Sequence, residues 1–229
     1  MENVKIDFLR NIQLFSSLTD EELFHVSSKV NLKEFKKNEV ILYEQDTNEF
    51  MYIILFGQVK VIQTTQEGKE IILSTHKSNE SFGEVSLIDG KTSPATVLAT
   101  EDSLIAIIEK NDFYFLLLNH RKVLETLLGI FCSRLRESWQ KIHMLHFKNA
   151  SQRIKMLFLM LSHDNGTRTS KGLILNMKLT HQSIADMTGL TRETVTRIID
   201  KWQGNGDVEI LKNKSILLSN EFLEKVLNV

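Results

Sequence analysis

The sequence contains one cysteine, Cys132, and one proline, Pro94, among 229 residues. A lone cysteine excludes an internal disulfide, a zinc site built from several thiolates and an iron–sulfur cluster held by four cysteines of one chain. Cys132 is left to pack as a small apolar residue. No apolar run reaches the roughly 18 residues needed to span a bilayer. The opening stretch MENVKIDFLRNIQLF is charged and amphipathic, not a basic segment leading into an apolar core. A cytoplasmic protein without a membrane partner is therefore expected. Paired carboxylates, histidines at metal-ligand spacing and a serine–histidine arrangement are also missing, so nothing points to an enzyme. There is no internal repeat and no low-complexity tract.

What is present is ordinary soluble composition, 42% apolar and 25% charged, with enough material for two cores. The net charge of −1 hides an asymmetry. Residues 1–147 hold 16 Lys and Arg against 21 Asp and Glu, whereas residues 148–229 hold 12 against 8. That excess favours an anionic partner for the C-terminal part, unless it is simply a solvated face.

Along the chain, SLTDEELFHVSSKV offers Thr19 or Asp20 as N-cap of a short helix with Leu23, Val26 and Val30 at helical spacing. From Glu39 to Ile108 the pattern becomes short apolar and β-branched runs (EVILY, FMYIILF, VKVIQ, EIILS, ATVLAT, LIAII) broken by Gly57, QEGKE and IDGKTSP. Six or more such strands predict a compact β-roll over residues 1–110, with Pro94 in a loop. Residues 111–147 lose the turn signals and read as a long helix. On it Leu128, Phe131, Leu135, Ser138, Ile142 and Leu145 follow a 3–4 spacing, the seam of a coiled coil. The seam either packs on its own domain or pairs with a second copy. At 1.5 Å per residue the helix is on the order of 50 Å long, more than one small barrel can cover, which favours a homodimer.

Residues 148–229 open with a helical pattern from Ser151 to Ser162, then a polar loop, HDNGTRTSKG. Next comes LTHQSIADMTGLTRETVTRIIDKW, Leu179 to Trp202. Thr180 precedes a helix with Ile184, Ala185 and Met187 facing inward, Gly189 supplies the positive φ of a sharp turn, and Thr191 caps a second helix. Val195, Ile198 and Ile199 form its buried stripe. Arg192, Glu193, Thr194, Thr196 and Arg197 remain for the outward and flanking surfaces. Arginine donates twice to guanine O6 and N7 and glutamate accepts from cytosine N4, so these side chains suit base reading in a major groove. The competing reading is a set of surface ion pairs. A hairpin, VEILKNKSILLS, follows.

These residues closely resemble the helix-turn-helix of the cyclic-AMP receptor protein/Fnr (Crp/Fnr) family of bacterial transcription regulators. The likeness extends along the whole chain, implying an α+β protein: an N-terminal β-roll (a cyclic-nucleotide-binding-like jelly roll), a long dimerisation helix and a C-terminal winged helix-turn-helix. It implies double-stranded DNA as partner, a two-fold operator with half-sites like TGTGA, and RNA polymerase as a further partner. Arg192, Glu193 and Arg197 match the family's base-contacting residues, and His181 and Gln182 its phosphate contacts. SFGEVSLIDGKTSPATVLA, Ser81 to Ala99, resembles the family's phosphate-binding cassette, in which backbone amides and an arginine hold a cyclic phosphate and a glutamate takes the ribose hydroxyl. Gly83 and Glu84 are in place. Ser93 stands where the arginine would be and Pro94 lacks an amide hydrogen. Loss of a charge-assisted hydrogen bond, about 1.5–3 kcal/mol, argues against tight cyclic AMP binding. Lys91 is a flexible substitute and not a bidentate fork.

Ser138 matches a seam position that contacts adenine in the family, though it can equally bond back to its own helix; Trp139 departs from the pattern. Haem would need an axial ligand, for which His76, His143 and His146 qualify by residue type. His143 and His146 lack a third metal ligand. The expectation is a regulator that needs no cofactor, with a cyclic nucleotide or haem as the alternatives. A regulatory cyclic-nucleotide module for an enzyme or channel fits less well, because residues 148–229 hold neither a catalytic constellation nor a membrane span.

Overall fold

The computed structural model describes residues 2–68, 70–211 and 214–227. They form two compact units that divide at Ser133/Arg134.

The first unit begins with helices α1 (Glu2–Arg10) and α2 (Asp20–Ser28). Thr19 caps α2: its hydroxyl accepts from the Glu22 N–H while the Glu22 carboxylate accepts from the Thr19 N–H. Strands β1 (Val30–Phe35), β2 (Val40–Leu42), β3 (Phe50–Phe56), β4 (Gln58–Thr64), β5 (Glu70–Lys77) and β6 (Ser81–Phe82) follow, then helix α3 (Glu84–Asp89), β7 (Thr96–Ala99) and β8 (Ser103–Glu109). They build two antiparallel four-stranded sheets, ordered β1-β8-β3-β6 and β2-β7-β4-β5. Phe35, Tyr52, Ile54, Val59, Phe82, Val97 and Ile105 fill the roll between them. The opposite face of β3 and β8, with Met51, Ile53, Ala106 and Ile108, is covered by Leu9, Phe15, Leu23 and Val26 from the N-terminal region and Phe113 and Leu116 from the next helix. Strand β3 is thus buried on both faces, which is why FMYIILF is apolar throughout and does not alternate.

Three expectations change here. Strand β1, VNLKEF, was not anticipated, because only its ends Val30 and Phe35 are buried and the middle carries no alternating signal. It also takes Val30 out of α2. The two-residue β6 is too short to announce itself. The single helix expected over 111–147 is two, α4 (Lys110–Asn119) and α5 (Arg121–His146). His120 leaves the helical conformation at φ −126°, ψ 87°, and its Nδ1 lies 3.0 Å from the Glu22 carboxylate. No proline or glycine marks this break; the contact of His120 with Glu22, 98 positions away in the chain, accompanies it.

The second unit takes in the last part of α5, then α6 (Ala150–Asn165), β9 (Gly166–Thr169), β10 (Gly172–Leu175), α7 (His181–Thr188), α8 (Arg192–Gly204), β11 (Val208–Ile210), β12 (Ile216–Ser219) and α9 (Asn220–Leu227). Its sheet is ordered β11-β12-β10-β9. The stretch expected as a polar loop is instead the end of α6, strand β9 and a tight turn into β10. Strand β9 is exposed along its whole length, so its polar side chains gave no strand pattern. The expected hairpin is β11–β12; residues 212–213 of its turn lie outside the described residues.

Candidate nucleic-acid interface

Helices α7 and α8 are built locally. Thr180 and Ser183 form a reciprocal capping box at the start of α7. Gly189 ends the helix at φ +66°, ψ 28°, a left-handed conformation open to glycine. Thr191 caps α8 by accepting from the Thr194 N–H at 3.2 Å, and the two threonine hydroxyls lie 2.9 Å apart. Ile184 and Ala185 on α7 and Val195 and Ile199 on α8 are buried together; Met187 and Ile198 pack at the edge of the same core. Trp202 extends the α8 stripe by a turn, with its ring against Phe158 and Phe222. Arg153 bonds the Phe147 carbonyl through Nε (2.7 Å) and the Thr188 carbonyl through Nη1 (3.4 Å), joining the segment after α5 to the end of α7.

The apolar stripe fixes what faces outward. Arg192, Glu193 and Arg197 are exposed and, with Thr196 and Asp200, line an open hollow of about 490 Å³ along α8. Among the described residues none of Arg192, Glu193, Arg197 and Asp200 takes part in an ion pair or a side-chain hydrogen bond. The surface-ion-pair reading therefore fails in this structure, and the donors and acceptors of this face stay available to a ligand. Asp200 was missed from the sequence; its position four residues after Thr196 and seven after Glu193 was the signal. Thr194 is half-buried with its hydroxyl against Thr191, so it serves the helix start as much as the outer face.

On α7, Gln182 is exposed and its Nε2 donates to Asp186 Oδ1 at 2.7 Å. His181 is half-buried, and its Nδ1 lies 2.8 Å from Thr196 Oγ1. The starts of α7 and α8 both present unsatisfied backbone N–H groups and the positive end of a helix dipole, which favours phosphate nearby.

The cassette in the first unit is closed on itself. Gly83 takes φ +89°, and a Cβ there would sit 2.8 Å from Tyr52 Cδ2 and 3.0 Å from the Phe50 carbonyl oxygen. The buried amide of Asn48, not anticipated from the sequence, donates to the carbonyls of Phe50 and Gly83 and to Ser86 Oγ. Glu84 starts α3 with only 2% of its surface exposed. Ser93 is buried too: its hydroxyl donates to the Ala95 carbonyl at 2.8 Å, and its backbone pairs with Gln45 and Asp46. Lys91 turns out to solvent beside Asp89. Neither residue 93 nor Lys91 thus supplies a cation to this turn.

Ser138, on the part of α5 in the second unit, donates to the Arg134 carbonyl at 2.8 Å, the back-bonded arrangement. His76 has Glu80 on Nδ1 (3.0 Å) and Ser74 on Nε2 (3.2 Å), with its ring stacked on Phe82. Both of its nitrogens are engaged, so haem ligation would have to break a bond already made. His143 and His146 are exposed on α5. Among the described residues no three side chains group as a metal site, and no helix is long and apolar enough to cross a membrane.

Comparison with known proteins accords with this architecture. The Cyclic nucleotide-binding domain family matches residues 32–120 and the Crp-like helix-turn-helix domain family residues 152–225. The Cyclic AMP receptor protein of Thermus thermophilus is 26% identical over 202 residues, covering 88% of this chain and 90% of that protein. The Global nitrogen regulator of Nostoc sp. is 28% identical over 200 residues, covering 83% and 89%. A mutant of CooA from Carboxydothermus hydrogenoformans shares the fold, with a TM-score of 0.79 at 20% identity over 89% of each chain. A β-roll of the cyclic-nucleotide type and a winged helix-turn-helix together define a DNA-binding transcription regulator, not an enzyme. The chain belongs to the Crp/Fnr family.

Proposed function

We propose that the protein acts as a homodimer that reads a two-fold symmetric operator with TGTGA-like half-sites, without tight dependence on cyclic AMP. The observation that carries base reading is the set of exposed Arg192, Glu193 and Arg197 on one face of α8, unpaired among the described residues. Placed in a major groove, the two arginines offer bidentate donors to guanine, and Glu193 accepts from cytosine N4. A carboxylate aimed at a polyanion costs energy unless a base satisfies it, so Glu193 favours a specific reader.

Dimerisation is supported by the seam of α5. Leu128, Leu135, Ile142 and Leu145 are each 46–59% exposed in the single chain, and Trp139 beside them is 60% exposed. Leaving these in water costs about 25 cal/mol per Å² of apolar surface, which a second copy of the helix would recover. Phe131, by contrast, packs against the first unit's core. RNA polymerase is a further partner by likeness to the family.

Effector independence rests on Ser93, which occupies the arginine position with its hydroxyl bonded to Ala95. A specific observation keeps a nucleotide-responsive regulator as the second reading: Gly83 takes a left-handed conformation at the start of α3, and Glu84 is buried beside it. The test is binding of the purified protein to a palindromic TGTGA duplex and to a scrambled duplex, with and without cyclic AMP, at one fixed salt concentration. Operator preference that ignores the nucleotide is expected. Preference that appears only with nucleotide would replace the first reading with the second, and equal affinity for both duplexes would overturn base reading itself.

A further inference from the structure

The contact between His181 and Thr196 joins the two helices of the motif at a place where both residues are half-buried. His181 is the first residue of α7 and Thr196 lies in the second turn of α8, and among the described residues the only hydrogen bond of either side chain is the 2.8 Å contact between them. A helical threonine ordinarily turns its hydroxyl back to a carbonyl of the preceding turn. Here it is turned across to the histidine instead. That choice decides the chemistry of the imidazole, because the partner of one ring nitrogen sets what the other can do.

We propose that Thr196 is a positioning residue: its hydroxyl donates to His181 Nδ1, places the ring proton on Nε2, and thereby aims one fixed N–H donor at a DNA phosphate beside the start of α7. If Nδ1 instead carried the proton on a neutral ring, Nε2 would hold a lone pair and repel the phosphate oxygen. The same bond ties α7 to α8, so the donor moves with the base-reading face. Phosphate contacts of this kind set register on the duplex and carry no sequence information. The inference rests on the proposed DNA-binding role and adds to it a residue that works through another.

The test is a double-mutant cycle with Thr196→Val, which removes the hydroxyl at nearly constant volume, Thr196→Ser, which keeps it, and His181→Ala. Affinities for operator and scrambled duplexes are measured at one salt concentration, with the imidazole 15N shifts of the free protein as the tautomer readout. Thr196→Val should weaken both duplexes by the same factor, about tenfold to a hundredfold, as expected for one lost hydrogen bond, about threefold to tenfold, in each protomer of the dimer. Thr196→Ser should restore binding, and the double variant should bind no worse than His181→Ala alone. The 15N shifts should report the Nε2–H form in the wild type and in Thr196→Ser, and a mixture in Thr196→Val. A change in preference at a base pair would mean that Thr196 itself reads DNA and would overturn the inference. Additive losses, or an unchanged tautomer, would overturn it as well. A wild type that prefers no operator defeats the proposed function instead, which separates the two failures.

Discussion

Arg192 is the sharpest handle on base reading, because its deletion leaves nothing orphaned in the folded protein. It is exposed, at the first turn of α8, and among the described residues its side chain makes no ion pair or hydrogen bond. Arg192→Ala should therefore change folding stability by no more than about 0.5 kcal/mol. What it removes is a donor fork worth about 1–3 kcal/mol against the wrong base, or roughly fivefold to 150-fold at one half-site. A dimer on a palindrome carries the change twice, and the two sites lie far enough apart to add, so the operator should lose about 2–6 kcal/mol. Scrambled DNA loses only one weak phosphate attraction per protomer. Fluorescence anisotropy against the operator, single-base variants of each half-site and a scrambled duplex, all at one salt concentration, resolves these outcomes. The wild type should discriminate at the base pair that Arg192 contacts, and the variant should lose that discrimination alone. Equal losses on operator and scrambled duplexes, with unchanged melting, would refute the reasoning and leave Arg192 as a phosphate contact.

Other expectations follow from the same structure. Leu135→Glu places a charge on the exposed seam of α5 and should give monomers in sedimentation with poor operator affinity; an intact dimer would remove the seam assignment. Gly83→Ala puts a methyl 2.8 Å from the buried Tyr52 ring at φ +89°, and should cost about 1–3 kcal/mol, seen as a lower Tm. An unchanged Tm would show that Tyr52 and Phe50 yield easily. The Asp102 carboxyl lies below the usual carboxylate range, chiefly because the Lys37 backbone N–H donates to it and then because Lys36 pairs with it. A lowered acid stabilises the fold above its unfolded value, about 3.9, and that contribution fades as pH falls through the folded value. Asp102→Asn should therefore melt below the wild type at pH 7 and approach it near pH 2; a gap that stays constant across this range would contradict the assignment.

Much of the candidate interface was legible because helix-turn-helix geometry is local. The caps at Thr180 and Thr191, the turn at Gly189 and the inward Ile184, Ala185, Val195 and Ile199 follow from spacing within some twenty residues. With the stripe known, Arg192, Glu193 and Arg197 had to face outward. The strands of the roll were equally visible where both faces are covered, as in β3. Strand β1 and the break at His120 were not, because each depends on a partner distant in sequence: Val30–Phe35 pairs with Ser103–Ile108, and His120 meets Glu22. Strand β9 pairs with its near neighbour Gly172–Leu175, but its residues are exposed throughout and so carry no alternating pattern.

The state of the cassette divides along the same line. That Ser93 cannot act as an arginine is a matter of its side chain, and the sequence is enough to say so. That its hydroxyl is buried against the Ala95 carbonyl, that Asn48 bridges the Gly83 turn, and that Lys91 points to solvent required the folded chain. Local rules bind residues a few positions apart, through helix pitch, caps and turns. His181 meets Thr196, and Asn48 meets Gly83, across 15 and 35 positions, and only the packing of whole elements brings such pairs within hydrogen-bond distance.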